Sequence, residues 1–523
     1  MFFLDNGGKG LIKVQRRTQR SRRVKKRRDT LSGILLFYLR NTTLHCIKYV
    51  VDLEMHWIER LIWFVLFISS AGCAIVVIYL LSMRFEEAPT STVVETTNFK
   101  ISAVPFPSVT ICPTNRVDWE KAIQVESKYV PSHDPETIAT FREILTKLST
   151  ITFGDFEHLA FLKNRSLRAL AGINVTQVLL DVTPNCQDVF SSCWWRTSYR
   201  ECCEILELQK TEYGFCYSFN SNNSMKFRGT SWNNEDRSKR VTEYGNWSGV
   251  RLKVHFGNIT QPPDSNNHRG IILSIYQPGA WPNGGHLIAN GMAVDVPLRC
   301  TSGYATESVL GLGDNRIPCK PGGRNNYNRE YCLSMCKRSY VYKYCGCNPS
   351  FFFPQDSTNE CTIEDFVCLT KHNIMFNTYY DDKDDHTIVD QSHALRCDCP
   401  PECEFSSYMT KIIGMPIVER SHIELDIHFE SLNCLRYRTD VVYTKLDLLV
   451  SFGGIIGLFF GGSLLSAVEI LYAILCAIHL YFYRRKKRKS LDGKSGHRVI
   501  RRPGISTIVP LIDYPDVRRQ FYD

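Results

Sequence analysis

Two long uncharged runs dominate the hydrophobic pattern of the 523-residue chain, one near each end. Residues 61–83 contain no charge, nor do residues 448–468, after which an apolar stretch continues past Glu469 to residue 483. About twenty apolar residues cross the hydrocarbon core of a bilayer, so we predict transmembrane helices at 61–83 and 448–483. The alternative for the first run is a cleaved signal peptide. It is disfavoured because 60 residues precede the run and no small-residue cleavage site follows it.

Residues 84–447, between the two runs, contain short alternating stretches, turn residues and aromatic side chains. This pattern predicts a β-rich body with inserted helices, and therefore an α+β domain. One helix is marked by an N-cap, a proline in the first turn and apolar residues at helical spacing. The residues that mark it are Asp134, Pro135, Ile138, Phe141, Leu145 and Leu148. The polar residues 220–240 are predicted to form a loop.

The charge distribution favours one orientation of the two helices. Residues 1–60 and 484–523 carry +9 and +8, while the whole chain is +10, so the residues between them carry −7. The RRKKRK run at 484–489 directly follows the second apolar run, and basic residues favour the cytoplasmic side. We therefore predict a multi-pass plasma-membrane protein with cytoplasmic segments 1–60 and 484–523 and an extracellular domain 84–447. The basic stretch 15–28 is interpreted as a solvated tail or a contact with anionic lipid, instead of a nucleic-acid site.

Cysteines and glycosylation sequons agree with this topology. Of 21 cysteines, 18 lie between the two apolar runs, an even number that suits disulfides in an oxidising compartment. Zinc binding by the closely spaced cysteines is the alternative, but histidines are not interleaved with them at useful spacing. Spacing alone leaves the connectivity open. Five N-x-S/T sequons lie in the same region, at Asn164, Asn174, Asn222, Asn246 and Asn258.

The acidic run YYDDKDDH at 379–386 has two interpretations. Clustered carboxylates raise one another's pKa and bind Ca²⁺, which would suit a proton or cation sensor. Runs of like charge between secondary-structure elements are more commonly solvated loops. We favour the loop.

Several motifs follow one another along the chain in a characteristic order. FPSVTIC occupies 106–112, GFCYSFN occupies 214–220, Tyr327 stands five residues before Cys332, and CDCPPEC occupies 397–403. Together with the glycine-rich second run, these motifs resemble the degenerin/epithelial sodium channel family, and within it the insect pickpocket-type subunits. The resemblance implies a trimeric membrane protein in which two transmembrane helices per subunit flank a large disulfide-rich α+β extracellular domain.

The resemblance also implies a disulfide pattern. The implied pairs are Cys112–Cys216, Cys319–Cys403, Cys332–Cys399, Cys336–Cys397, Cys345–Cys368 and Cys347–Cys361, with Cys193 joined to Cys202 or Cys203. Nested bridges of this kind would join two antiparallel helices into a stiff rod. The pairing of Cys186, Cys203, Cys300 and Cys434 stays open.

The second apolar run contains the residues that bear most directly on function. Gly453, Gly457 and Gly461 recur at i+4 and predict a ridge without side chains, for which close helix packing is the alternative explanation. A glycine pair permits non-helical backbone, and the freed carbonyls need a polar partner, which in a membrane can be a partly dehydrated cation. Gly461, Gly462 and Ser463 match the family's G-x-S tract. The resemblance implies a helix break there and a sodium-selective filter.

Two polar residues follow this tract. Ser466 and Glu469 succeed Ser463 at intervals of three residues, so we expect them to share a pore-lining face, with a ring of carboxylates at the inner mouth. By resemblance, Gly457 is the amiloride-binding position. Val450 matches the degenerin position of the gate, where a β-branched side chain is expected to obstruct closure and leave the channel leaky. Na⁺ is the permeant ion, and no cofactor is expected.

Two features depart from the family pattern. The cytosolic His-Gly gating motif appears here as His45-Cys46, so only its histidine carries over. The acid-sensing branch of the family has a tryptophan just before the cysteine matched by Cys319, whereas this chain reads DNRIPC at 314–319. That difference argues against protons as the natural stimulus.

The predicted function is a voltage-independent, amiloride-sensitive sodium channel subunit that forms a homo- or hetero-trimer and responds to an extracellular stimulus. The main alternative is a non-conducting accessory or receptor subunit of a mixed trimer. ATP-gated two-span trimeric channels share the topology, but they have fewer extracellular cysteines and different motifs. The chain has no nucleophile elbow, metal-hydrolase helix or phosphate loop, so an enzyme is not expected.

Overall fold

The structure is a computed structural model. It describes residues 31–87, 89–131, 134–225, 239–263, 269–313, 316–322, 327–355, 359–380 and 394–492. The acidic run predicted as a loop lies outside the described residues beyond Tyr380, as does most of the predicted loop 220–240. The chain forms two compact units, Met1–Glu87 with Tyr443–Asp523, and Ala88–Val442. We call them the membrane unit and the disulfide-rich unit and describe each by itself.

The helices of the described residues are numbered in chain order. They are α1 (Leu31–Asn41), α2 (Ile47–Val51), α3 (Trp57–Glu87), α4 (Trp119–Tyr129), α5 (Pro135–Leu148), α6 (Val175–Val182), α7 (Cys186–Val189), α8 (Cys202–Ile205), α9 (Glu307–Leu310), α10 (Arg329–Cys345), α11 (Phe366–Lys371), α12 (Asn373–Asn377), α13 (Lys445–Phe460) and α14 (Leu464–Asp492).

The strands are numbered in the same way. They are β1 (Thr90–Lys100), β2 (Ser108–Pro113), β3 (Phe190–Trp195), β4 (Ser198–Arg200), β5 (Leu206–Thr211), β6 (Gly214–Phe219), β7 (Val250–His255), β8 (Gly270–Tyr276), β9 (His286–Ala289), β10 (Met292–Ala305), β11 (Tyr379–Tyr380), β12 (Leu395–Arg396), β13 (Glu404–Thr410), β14 (Ile413–Pro416), β15 (His422–Phe429) and β16 (Asn433–Val441).

The membrane unit contains two helical segments that are long and apolar enough to cross a membrane. Trp57–Glu86 has a mean hydropathy of 2.6 and Leu464–Tyr483 has 1.9. Helix α3 extends beyond the predicted segment 61–83 at both ends. It contacts α13 where the Ser70 hydroxyl donates to the Phe459 carbonyl, at 2.8 Å. The first apolar run is therefore one continuous helix, whereas the second is divided between α13 and α14.

The disulfide-rich unit is built around two large sheets, one mixed and one antiparallel. The nine-stranded sheet has the order β1-β16-β10-β15-β7-β3-β4, with β13 and β14 also paired to β10. The five-stranded sheet has the order β5-β6-β2-β8-β9. Both sheets contribute buried side chains to one core, for example Leu252 from the first and Ile111 from the second. Alternation explains the first case, because Val250, Leu252 and Val254 point inward while the residues between them are half-buried.

A second core lies among the helices of the same unit. It is rich in phenylalanine, and Phe153 contacts Phe156, Phe352 and Phe353 in edge-to-face geometry. Helix α5 contributes to this core and begins as predicted, because the Asp134 side chain accepts a hydrogen bond from the Thr137 N–H at 3.0 Å. Its predicted apolar face is buried at Phe141, Leu145 and Leu148. The prediction of this helix is confirmed.

The structure joins the 18 cysteines of the disulfide-rich unit in nine pairs. Those implied by the resemblance are all present: Cys112–Cys216, Cys319–Cys403, Cys332–Cys399, Cys336–Cys397, Cys345–Cys368 and Cys347–Cys361. Cys193 joins Cys202, one of its two candidate partners. The pairs that had been left open are Cys186–Cys203 and Cys300–Cys434, and the latter links β10 to β16.

The expectation of two antiparallel helices is wrong for two of these bridges. Cys332 and Cys336 lie on the long helix α10, but their partners Cys399 and Cys397 lie outside any helix. The physical reason is the sequence CDCPPEC, in which two consecutive prolines remove backbone N–H groups and disfavour helix in the residue before them. These two bridges therefore fasten a non-helical segment to one helix.

The five sequon asparagines occupy two kinds of environment. Asn164, Asn246 and Asn258 are exposed, whereas Asn174 and Asn222 are half-buried. The Oδ1 atom of Asn174 caps α6 by accepting the Gln177 N–H at 3.1 Å, which leaves its side-chain nitrogen, the atom that carries a glycan, outside the cap. Glycosylation at these positions stays a prediction.

Candidate functional site

The second apolar run is interrupted at Gly461. Helix α13 ends there because Gly461 takes a left-handed conformation with φ of 64°, and its N–H closes the helix on the Gly457 carbonyl at 2.9 Å. The Gly462 N–H reaches back to the Ile456 carbonyl at 3.4 Å. A side chain at Gly461 would be strained, because left-handed backbone is costly for L-residues other than glycine.

Ser463 begins the next helix by a reciprocal capping arrangement. Its hydroxyl oxygen accepts a hydrogen bond from the Ser466 N–H at 3.3 Å, and the Ser466 hydroxyl oxygen accepts one from the Ser463 N–H at 3.2 Å. This is the geometry of a capping box, with a second serine in the position more often held by Glu or Gln. The sequence Gly-Gly-Ser-Leu-Leu-Ser thus stops one helix and starts another.

The break satisfies backbone donors and leaves acceptors free. The N–H groups of Gly461, Gly462 and Ser463 all donate within the chain. In the part of the chain that the structure describes, the carbonyls of Gly461 and Gly462 accept no hydrogen bond. The tract can therefore offer oxygen ligands but not amide donors.

A short N-terminal segment, Thr43–His45, packs against the break. The Thr43 hydroxyl lies 2.8 Å from the Ser466 hydroxyl and donates to Glu469 Oε2 at 3.3 Å. The His45 N–H donates to the Phe460 carbonyl at 2.9 Å. The His45 ring lies directly against Gly461, where an added Cβ would overlap it. His45 was identified from the sequence, but Thr43 was not.

Two expected pore-lining residues lie in different surroundings. Glu469 is exposed, as a carboxylate at a mouth would be. Ser466 is only 3% exposed, because Thr43 covers it and its hydroxyl serves the cap. The expectation that Ser466 continues an open polar face does not match its burial within this chain.

Cys46 stands at the departure from the His-Gly motif and has an unusual backbone. Its φ is 66°, which is uncommon outside glycine and costs an ordinary side chain of order 1–3 kcal/mol. It precedes α2 without forming a side-chain cap. Glycine adopts this conformation without such a cost, so a cysteine here makes the turn more strained than a glycine would.

The glycine ridge of α13 is open within the chain. A Cβ added to Gly453 would meet no heavy atom within 4 Å, and one added to Gly457 would meet only the Gly462 carbonyl oxygen, at 3.6 Å. Contact with α3 is made elsewhere, by Phe459 and by the rings of Phe67 and Phe460, whose centroids are 5.8 Å apart. The ridge therefore does not serve packing against the chain's own first membrane helix.

Comparison with known proteins identifies the family. The family described as "Amiloride-sensitive sodium channel" matches residues 38–473, most of the chain. The chain belongs to this family. The channels of the family are trimers of two-span subunits and are not enzymes.

Relatives in this sodium channel family align with this chain along most of their length. Pickpocket protein 19 of Drosophila melanogaster is 26% identical over 454 residues, which cover 83% of this chain and 89% of that protein. Sodium channel protein Nach of the same species is 24% identical, with 83% and 87% covered. The bile acid-sensitive ion channel of Homo sapiens is 23% identical, with 82% and 83% covered. The sequence prediction of the family is confirmed.

The remaining positions singled out by the family resemblance lie on α13. Val450, matched to the degenerin position, has a side chain that is 66% exposed and lies about three turns before the break. Gly457, matched to the amiloride-binding position, lies one turn before Gly461 and supplies the carbonyl that closes the helix. These positions and the break thus follow one another along one helix.

Proposed function

We propose that this chain is a subunit of a voltage-independent, amiloride-sensitive sodium channel of the plasma membrane that opens in response to an extracellular stimulus. Three subunits, identical or related, surround the pore, and both termini of each lie in the cytoplasm. The second span, α13 with α14, lines the pore. The observation that carries the proposal is the break at Gly461–Ser463, where two carbonyls inside an apolar segment accept no hydrogen bond from the described residues.

These carbonyls are costly in hydrocarbon and useful in a pore. An unpaired backbone carbonyl in a bilayer costs several kcal/mol unless water, protein or an ion satisfies it. Around a threefold axis, the carbonyls of Gly461 and Gly462 would replace part of the hydration shell of Na⁺. The Ser463 hydroxyl has a second lone pair beyond the one that accepts the Ser466 N–H, so it can cap the helix and contact the ion.

The inner mouth is assigned to Glu469 and Thr43. A ring of three exposed carboxylates attracts cations and repels anions, and Thr43 holds each carboxylate by a hydrogen bond. Ser466 is assigned a positioning role, because its buried hydroxyl links the cap at Ser463 to the Thr43 segment. The His45 ring of the same segment packs against Gly461.

Two residues of α13 are assigned to block and gating. Gly457 binds amiloride, and Val450 faces the gate, where its branched side chain obstructs closure. The gate assignment rests on the match of Val450 to the family's degenerin position, and Val450 is exposed within the chain. Val450→Ala is expected to lower the resting current, whereas Leu449→Ala, which trims the equally exposed neighbouring side chain, should not. A resting current that is unchanged by Val450→Ala would refute the proposal that Val450 keeps the channel partly open at rest.

Voltage clamp of cells that express the full chain, alone and with related subunits, tests the filter. Exchange of external Na⁺ for K⁺ gives the permeability ratio from the shift in reversal potential. Ser463→Ala should lower that ratio at least tenfold, about 1.4 kcal/mol of discrimination. Ser451→Ala, on α13 but away from the break, is the matched control and should preserve it.

The outcomes separate conduction from an accessory role. A sodium current of unchanged selectivity in Ser463→Ala would refute the filter assignment. Protein that reaches the cell surface but passes no current in any combination would favour a non-conducting subunit. Addition of amiloride to the wild type and to Gly457→Ala tests the blocker site, since the substitution should weaken block while leaving selectivity intact.

A further inference from the structure

A separate polar cluster lies in the disulfide-rich unit, on two neighbouring parallel strands of the nine-stranded sheet. Asp295 of β10 is directly opposite Asp426 of β15, and His428 follows Asp426 by two residues. Opposed residues, and residues two apart in one strand, share a face of the sheet. One imidazole and two carboxylates therefore converge at one place.

The atoms of this cluster are close together but do not form hydrogen bonds with one another. His428 Nδ1 lies 3.5 Å from Asp295 Oδ1 and 3.6 Å from Asp426 Oδ1. The His428 side chain is only 4% exposed, yet its Nδ1 atom and Asp295 Oδ1 have no hydrogen-bond partner among the described residues. Buried polar atoms are seldom left in this condition, so the imidazole nitrogen requires another partner.

A divalent transition-metal ion is a suitable partner for all three groups. Tetrahedral zinc with bonds of about 2.0–2.2 Å separates its ligand atoms by about 3.4 Å. The separations of 3.5 and 3.6 Å around His428 Nδ1 are close to this value, and the three ligand atoms all lie within 4.8 Å of one another. We propose that Asp295, Asp426 and His428 bind Zn²⁺, with a fourth position open to water. The imidazole favours zinc over Ca²⁺ or Mg²⁺, which prefer oxygen ligands.

The surroundings orient one of the carboxylates and supply no basic partner to either of them within the described residues. The backbone N–H of Trp247 donates to both oxygens of the Asp426 carboxylate, to Oδ2 at 3.1 Å and to Oδ1 at 3.4 Å, and so fixes its orientation, while Oδ1 also lies 3.6 Å from His428 Nδ1. Among the described residues, no Lys or Arg forms an ion pair with Asp295 or Asp426, and the nearby Arg251 pairs with Glu424 instead, at 3.0 Å. Asp295 is 30% exposed and provides a route for the ion from solvent.

Zinc titration of the purified full-length chain in detergent tests this site. After removal of metal with a chelator, bound zinc is counted by elemental analysis, and affinity is measured by calorimetry. We expect a site in the wild type that His428→Gln and Asp295→Asn weaken at least ~10–100-fold, since changes even outside the ligand shell cause losses of that size. Co²⁺ bound in place of zinc should show the intense visible absorption of tetrahedral coordination, and His428→Gln should abolish it.

His422→Gln is the matched control. His422 is another buried histidine of β15, and it also has a carboxylate neighbour, with Nε2 3.3 Å from Glu424 Oε1. This variant should bind zinc as the wild type does. Size-exclusion profiles check that each variant is folded. Wild-type affinity in folded His428→Gln, or no zinc bound by the wild type at micromolar concentrations, would refute the site. Binding is measured without current, so the result does not depend on sodium conduction.

Discussion

The cap at Gly461 is the feature of the proposed filter whose energetic cost is most readily estimated. Gly461→Ala places a side chain on backbone with φ of 64°, which costs about 1–2 kcal/mol for an L-residue. The new Cβ would also overlap the His45 ring, and forced overpacking adds about 1–3 kcal/mol. We therefore expect a total loss of about 2–5 kcal/mol in the stability of the membrane unit, together with displacement of the Thr43–His45 segment.

A double-mutant cycle separates the two contributions. His45→Ala removes the ring, so Gly461→Ala in that background should cost only the backbone part, and the two substitutions should couple by about 1–3 kcal/mol. Stability is ranked by the fraction of full-length protein that keeps its size-exclusion profile after heating in detergent, and the same variants are tested for Na⁺ over K⁺ selectivity. Gly453→Ala is the control, because its Cβ would meet open space. Wild-type stability in Gly461→Ala, or an equal loss with and without the His45 ring, would refute the reasoning.

Three further predictions use the same measurement of heat resistance. Gly453→Ala should leave the isolated subunit intact or stabilise it by about 1 kcal/mol, because alanine favours helix over glycine. If the variant subunit stays folded but no longer assembles, a neighbouring copy packs against Gly453. Cys46→Gly should stabilise the membrane unit by roughly 1–3 kcal/mol by relieving its positive φ, and no gain would contradict that strain. Lys337→Met should cost about 3–5 kcal/mol because it leaves Glu212 buried without its ion pair. Adding Glu212→Gln should recover much of that loss, and a double variant as unstable as Lys337→Met would refute the explanation.

The Lys337 prediction has a further physical basis in the environment of the carboxylate. Lys337 Nζ lies 2.7 Å from Glu212 Oε1, and both side chains are 10% exposed. Burial raises the pKa of Glu212, and the charge of Lys337 opposes that rise. Without the lysine, the folded state binds a proton at Glu212 more readily than the unfolded state does. Lys337→Met should therefore be least stable well above the folded pKa of Glu212 and regain stability as the pH falls through that pKa.

Local signals in the sequence were sufficient for the features that short segments determine. The helix after Asp134 was predictable because its cap, its proline and its apolar spacing all lie within fifteen residues and act on the same turn. The two apolar runs were equally predictable as membrane-crossing segments, because crossing a bilayer depends on length and composition. The break at Gly461 was implied by the family resemblance and by the glycine pair, and the structure adds the local reason, a left-handed glycine that ends one helix and a serine that caps the next.

Features that depend on distant segments were not accessible in this way. Thr43 meets Ser466 across more than four hundred residues, and no periodicity links the two. The burial of Ser466 followed from that contact, so spacing along the helix gave the wrong environment for its hydroxyl. The cluster of Asp295 with His428 also depends on the register of two parallel strands that lie far apart in the sequence. Register is set by the packing of the whole sheet.

The selectivity proposed for the break follows from which backbone groups its caps satisfy. A continuous helix would bond the carbonyls of Gly461 and Gly462 and leave nothing for an ion. The observed caps end and restart the helix while all three N–H groups from Gly461 to Ser463 donate inside the chain, so only acceptors remain. Oxygen lone pairs without competing donors attract cations and offer an anion no hydrogen bond. The chemistry of the two caps therefore determines the sign of the charge that the proposed pore admits, and the size of the ring formed by three copies determines which cation passes.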